Sequence, residues 1–317
     1  MRASRHIWMS AISMALGIGS VSAQDYPAKP IRIVTSAPGG GSDFISRLIA
    51  QGISGPLGQP VIVDNRPNVP ITAAFVSKAP PDGYTLLVAG SSLWVYPMLN
   101  EAQYNVADFL PISLIAAEVL ILAVHPSVPA RSIKELIALA KAKPGELRVS
   151  TGIPGSPPHL AVQLLKLMAA VNILDVPYKS ALSAVTGVVG GEVHLTIYDA
   201  ALITPHATSG RLRALAVTSA MPSALAPGLP TVASAGLPGY ESVGMTGIFA
   251  PVKTSSSIIN RLNQEVVRVL SQPDVKERLL NAQEEPVGNS PEQFSAYIKT
   301  DIARVSKVIK DAKIKVE

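Results

Sequence analysis

The chain has 317 residues, 48% of them hydrophobic, 5% aromatic and 15% charged, with 27 prolines, 23 glycines and no cysteine. That length suits two domains with their own cores, the hydrophobicity excludes disorder, and the missing thiol excludes disulfide frameworks, iron–sulfur clusters, thiolate zinc sites and cysteine catalysis. The formal charge of +5 is scattered, with few aromatics to stack on bases, so it reads as solubility with a mild preference for anions and not as a nucleic-acid footprint.

Residues 1–23 carry Arg2 and Arg5, an apolar run from Ile7 through Val21, and the small-residue end Val21-Ser22-Ala23. This is the make-up of a secretory signal peptide cleaved near Ala23. Its apolar run is too short and too rich in small residues to span a bilayer stably, and no later run reaches the roughly 18 apolar residues of a membrane helix. The mature chain is expected to start at Gln24, carry about +3, and be exported and soluble. An uncleaved anchor helix is the alternative.

Pro30 to Ala37 reads as a β-rich strand, broken by Pro38-Gly39-Gly40-Gly41-Ser42-Asp43. Phe44, Ile45, Leu48, Ile49 and Ile53 then recur at helical spacing, giving strand, glycine loop, helix. Val61 to Asp64 predicts a second strand and Thr72 to Lys78 a helix. Pro80-Pro81-Asp82-Gly83 predicts a turn, and Tyr84 to Ala89 the next strand. Ser132-Ile133-Lys134-Glu135 is a capping box opening a helix that Pro144-Gly145 ends. Leu147 to Thr151 is a strand and Gly152-Ile153-Pro154-Gly155-Ser156 a loop. Pro157 to Ala170 is a helix with Leu160, Leu164, Leu167 and Met168 on one face. Val176 to Lys179, His194 to Tyr198 and Ala214 to Thr218 predict further strands.

Strands alternating with helices imply βαβ units and a mostly parallel sheet. After Gly247 to Pro251 the pattern is helical: Ser257 to Leu270, Asp274 to Asn281, then Ser290 capping a helix to about Lys310. With no strand left there, those helices must cover the N-terminal sheet. The expected α/β organisation is two lobes with a hinged interdomain cleft. Domain I is discontinuous, residues 24–120 plus 245–317, and domain II is residues 121–244.

Each glycine loop joins a strand's carboxyl end to a helix's amino end, where unpaired N–H groups and the helix dipole favour an anion. One loop per lobe could hold the two ends of a small dianion. A tight turn with no ligand is the other reading of Gly39, Gly40 and Gly41. Phe44 stands where G-x-G-x-x-G requires its third glycine, and no Gly-Lys-Ser/Thr follows, so neither a dinucleotide fingerprint nor a P-loop is present. Two readings stay open for several residues: Asp43 as a backbone brace or a ligand contact, Ser42 and Ser156 as caps or hydroxyl donors, Ser91 and Ser92 as a polar turn or a contact at a strand's carboxyl edge. Trp94 and Tyr96 could stack on a planar ligand or belong to the core. Asp199 could orient a ligand's donor or a loop. Ser156 and His159 lack the G-x-S-x-G elbow and a third triad partner, and the histidines are too far apart for a local metal pair.

The stretch Tyr26-Pro27-Ala28-Lys29-Pro30-Ile31-Arg32-Ile33-Val34, then Pro38-Gly39-Gly40 with Asp43, Leu57-Gly58-Gln59-Pro60-Val61 and Asn65-Arg66-Pro67 resembles the substrate-binding proteins of tripartite tricarboxylate transporters, the Bug family. So do Ala79-Pro80-Pro81-Asp82-Gly83-Tyr84-Thr85-Leu86, Val176-Pro177-Tyr178-Lys179, Gly210 to Thr218, and Pro230-Thr231 through Tyr240. The resemblance runs through the whole mature chain in order. It implies a type II periplasmic binding protein fold closing on a small carboxylate, with contacts carried onto Gly39, Gly40, Ser42, Ser156 and their neighbours. The expected ligand-binding set is Pro38, Gly39, Gly40, Ser42, Asp43, Ser91, Ser92, Thr151, Gly155, Ser156, His159, Ser180 and Asp199, with no cofactor, metal or catalytic residue.

Two departures stand out. Asn68-Val69-Pro70-Ile71-Thr72 replaces a glycine-rich stretch usual in the family, and Ser180 replaces the usual glycine after Tyr178-Lys179. Both point to a ligand with an apolar or aromatic body. The expected partners are the carboxylate and the membrane permease of such a transporter, with the receptor a monomer. A ligand-sensing partner of a membrane kinase, and a hydrolase on the same scaffold, are the alternatives.

Overall fold

A computed structural model describes residues 26–315. The signal peptide and the expected start at Gln24 lie outside the described residues. Among the described residues no helix is long and apolar enough to cross a membrane.

The first part of the chain runs β1 (Ile31–Thr35), α1 (Gly41–Leu57), β2 (Val61–Asn65), α2 (Val69–Val76), β3 (Thr85–Gly90), α3 (Ser92–Leu99) and β4 (Phe109–Glu118). The middle runs β5 (Leu120–Val124), α4 (Ile133–Ala142), β6 (Arg148–Thr151), α5 (Pro157–Ala169), β7 (Leu174–Pro177), α6 (Ala181–Val189), β8 (Leu195–Asp199), α7 (Ala200–Thr208) and β9 (Arg213–Val217). The chain ends with β10 (Gly244–Pro251), α8 (Ser256–Ser271), α9 (Pro273–Asn281), β11 (Glu285–Pro286) and α10 (Pro291–Asp311).

Two sheets result, ordered β11-β4-β10-β3-β1-β2 and β7-β6-β8-β5-β9. The chain changes sheet at Val119, between β4 and β5, and is back in the first sheet at Gly244. The expected mostly parallel sheet is corrected. β1 pairs parallel with β2 and β3, and β6 with β7 and β8, but β10 runs antiparallel between β3 and β4, and β5 antiparallel between β8 and β9. A returning strand inserts wherever an edge and an apolar face are free, which local alternation of strand and helix does not encode. The expectation of no further strand is corrected too: Glu285–Pro286 pairs antiparallel with Ala116 and Ala117 of β4.

The C-terminal helices cover the first sheet, as expected. α1 buries Ile45, Leu48, Ile49, Ile53 and Leu57 beside Ile259, Leu262, Val266, Val269 and Leu270 of α8. Each such side chain contributes roughly 1.5–3 kcal/mol on leaving water. The two helices meet closely at Gly52, where a Cβ would lie 2.6 Å from the Val269 methyls. Pro56 has no N–H for the Gly52 carbonyl four residues earlier. Arg268 of α8 supplies the bond instead, at 2.9 Å, and Arg261 donates to the Pro56 carbonyl at 3.1 Å.

A second cluster runs through both lobes, from Trp94, Phe294 and Val305 to Leu122, Leu160 and Tyr240. α10 packs on α5 and on α3. The Tyr240 hydroxyl donates to the Ala161 carbonyl at 2.9 Å, and Arg304 donates to the Glu241 carbonyl, so the returning segment is tied to α5 and α10 at once.

Several element boundaries differ from the sequence reading. The helix expected from Thr72 starts at Val69, because Asn68 caps it through the Ile71 N–H at 3.1 Å and Pro70 fits its first turn. Leu160 and Leu164 are buried, whereas Leu167 and Met168 are exposed, since the buried stripe continues through Leu165 and Ala169. Ser91 and Ser92 begin a helix, and Trp94 lies inside the core with its indole N–H on Asp301 at 2.7 Å, which removes it as a stacking platform.

Candidate ligand cleft

Both glycine loops are built alike. In the first, Gly39 has φ +86° and its N–H donates to the Asp43 carboxylate at 2.9 Å. In the second, Gly155 has φ +82° and its N–H donates to Nδ1 of His159 at 3.2 Å. Asp43 and His159 are each the third residue of their helix. Glu135 holds the same place in α4 and accepts from the Arg131 N–H at 2.7 Å, while Ser132 accepts from the Glu135 N–H. In all three the helix's first turn reaches back and pins the residue before the cap.

Asp43 is buried and also meets Asn65 at 2.8 Å and Arg47 at 3.0 Å. Burial by itself would raise its pKa. The Gly39 N–H, Arg47 and Asn65 outweigh that and hold the carboxyl below its ordinary range. For His159, burial is the largest influence and holds the imidazole below its usual range, Asp175 opposing and Lys166 assisting. The neutral ring is what lets Nδ1 accept.

A cavity of 390 Å³ lies where the carboxyl ends of β3 and β6 meet across the lobes. Ser91, Ser92, Val95, Tyr96, Leu99 and Asn100 line it from one side; Ile153, Pro154, Gly155, Ser156 and Pro157 line it from the other; Gly90, Glu118, Gly244 and Met245 complete it. Four of the expected residues therefore come together here: Ser91, Ser92, Gly155 and Ser156. Pro38, Gly39, Gly40, Ser42, Asp43, Thr151, His159, Ser180 and Asp199 do not line this cavity. Thr151 is buried at the end of β6, and Ser180 caps α6 through a reciprocal pair with Ser183.

The Ser156 hydroxyl is buried without a hydrogen-bond partner. It stands 2.8 Å, and the Tyr198 hydroxyl 3.0 Å, from where a Cβ on Gly152 would lie, so a side chain there would push these hydroxyls aside. α5 opens on Pro157-Pro158, which carry no N–H, so the second loop has fewer backbone donors than its glycines suggest. α3 has no proline in its first turn, and its N-cap Ser91 makes no side-chain cap bond. With His159 Nδ1 engaged by Gly155, Ser156 and His159 do not form a nucleophile–base pair.

Glu118, the last residue of β4, is a lining residue that sequence reasoning passed over. It is the lone charge in the run from Ile112 to Val124, and that isolation was the available signal. Asp199 ends β8 beside it, with Oδ1 buried and unpartnered, and Glu284 lies close by on the loop before β11. Burial first, then Asp199 and Glu284, push the Glu118 carboxyl up to about 9. Burial, then Asp199, push Glu284 up to about 7. Among the described residues no cluster of three or more His, Asp or Glu is arranged to hold a metal ion.

Residues 45–314 match the tripartite tricarboxylate transporter family receptor. The chain belongs to this receptor family. BugT of Bordetella pertussis is 34% identical to it over 304 residues, covering 94% of this chain and 93% of that protein. Rpa4515 of R. palustris, solved with adipate, is 35% identical with a TM-score of 0.70 over 92% of this chain and 99% of that one. A TctC solute-binding protein from Polaromonas, solved with no ligand, is 25% identical with a TM-score of 0.84 over 90% and 99%. The receptor thus has the two-lobed fold of periplasmic solute-binding proteins.

Proposed function

We propose that this receptor captures a small mono- or dicarboxylate in the periplasm, between its two lobes, and presents it to the membrane permease of a tripartite tricarboxylate-type transporter. The observation that carries this reading is the cavity itself. Ser91 and Ser92 at the start of α3 line it from one lobe, and Ser156, whose hydroxyl is unpartnered, lines it at the start of α5 from the other. Val95, Leu99, Ile153, Pro154, Pro157 and Met245 supply apolar walls, which suits a ligand with an aliphatic or aromatic body. The adipate in Rpa4515 is a ligand of that kind.

Capture works through a shift between open and closed arrangements of residues 24–120 plus 245–317 against residues 121–244. A ligand oxygen that satisfies donors of both lobes binds the closed state better and so favours it.

A thermal-shift screen with millimolar aliphatic and aromatic carboxylates tests the reading. A ligand at about 100 times its Kd adds roughly 2.7 kcal/mol, which raises Tm by several degrees. No response to any acid in the screen would overturn it.

A further inference from the structure

Glu118 sits at the point where the chain leaves the first sheet, opposite Gly244 in the β4–β10 ladder. A Cβ on Gly244 would lie 2.3 Å from Glu118 Oε2, so the glycine leaves the space that the carboxyl fills. Both residues line the cavity, with Gly90, Ser91 and Met245 beside them. From the other sheet comes Asp199, and from the loop after α9 comes Glu284, whose Oε1 is 3.0 Å from where a Cβ on Gly41 would lie. β11 brings Glu285 opposite Ala117, but that carboxylate accepts the Ala224 N–H at 3.2 Å. β3 and β10 bring no charge to the lining. The carboxyls that bear on Glu118 are therefore those of Asp199 and Glu284, and Asp199 is also a hydrogen-bond partner of the Glu118 carboxyl.

Burial disfavours the charged form of a carboxyl, and neighbouring carboxyls disfavour it further. A half-buried carboxyl among two others thus holds a proton, and a carboxylic acid is a hydrogen-bond donor. We propose that Glu118 meets the ligand as a neutral acid, its hydroxyl turning from Asp199 to a ligand carboxylate, so that capture of the anion is linked to a proton on this one residue. Such O–H···O⁻ bonds are short and strong, and an anion beside Glu118 holds the proton there more firmly. The opposite use of the same carboxyls, accepting from a ligand ammonium, reverses the pH dependence and is an outcome of the test. The inference rests on the cavity being the ligand site.

Calorimetric titration with adipate and with benzoate, from pH 7 to 10.5 in two buffers of different ionisation enthalpy, decides it. The expected Kd is flat to about pH 9 and rises about tenfold per pH unit above that, with proton uptake on binding in the same range. Glu118→Gln, its fold checked by circular dichroism, removes both the slope and the uptake. Infrared difference spectra of wild type minus Glu118→Gln, recorded without ligand at pH 7.5, show the carbonyl band of a protonated acid. Absence of that band, affinity that climbs with pH, or an unchanged profile in Glu118→Gln overturns the proposal. Binding with a flat profile removes this inference and leaves the receptor function standing. If neither acid binds at any pH, both fall.

Discussion

Asp43 and His159 show how one position in a helix's first turn answers the same need with different chemistry. A glycine with positive φ puts its N–H where the helix cannot use it, and the third helical residue accepts it. The two open readings of Asp43 are thereby narrowed. Its carboxylate has Gly39, Asn65 and Arg47 as partners, so it holds the loop's shape. Asp43→Ala is expected to destabilise the protein by about 1–3 kcal/mol, because it removes the charged acceptor shared by the Gly39 N–H, Asn65 and Arg47 and frees the loop. Urea unfolding measures this, and a loss below about 0.5 kcal/mol would mean that the loop keeps its shape unaided. The pH dependence has a definite sign. The folded pKa of Asp43 lies below its unfolded value, so its contribution is present above about pH 4 and is lost as pH falls through the folded value.

At the scale of elements, helix α1 was legible from Ile45, Leu48, Ile49 and Ile53, whose spacing follows from 3.6 residues per turn. Its partner was legible only by elimination, as the last helices had no sheet of their own. Nothing local marked Gly52 as the contact or Arg268 as the donor to its carbonyl, since both depend on where α8 crosses. Gly52→Val tests that contact. The added methyls would overlap Val269, and the expected cost is about 1–3 kcal/mol from overpacking. Chemical denaturation reads this directly. A neutral or stabilising result would show that α1 and α8 can separate freely. The sheets teach the same lesson. Strands such as β1, β3 and β6 were readable from apolar runs, whereas β4 and β5 went unread, and the antiparallel insertion of β10 and β5 was set by which edges the rest of the chain left open.

For the whole molecule, the cavity depends on how far apart the lobes stand. A Cβ on Gly155 would lie 2.5 Å from Leu99 Cδ1, across the cleft, and the backbone there has φ +82°. Gly155→Val is therefore expected to wedge the lobes apart and lower carboxylate affinity at least tenfold while the protein still unfolds cooperatively. Small-angle scattering should show a larger radius for this variant than for wild type. Adding Leu99→Ala should recover part of the affinity, and no recovery would assign the loss to backbone strain alone. The carboxyls of Glu118 and Glu284 also make stability depend on pH. Their folded pKa values are raised, so their contribution is complete below about pH 4 and declines as pH rises through about 7 and then about 9.

The sequence by itself determined the α/β class, many of the elements, both glycine loops and the family, because periodicity, turn chemistry and ordered motifs are local properties of the chain. Only the tertiary structure decided which loops share a cavity, and it joined Ser91 and Ser92 to Gly155 and Ser156 while leaving Gly39 and Gly40 outside its lining. It also brought Glu118, Asp199 and Glu284 together from three distant segments. Neither grouping follows from spacing, because electrostatic and packing contacts act through space and their partners here are dozens to hundreds of residues apart along the chain.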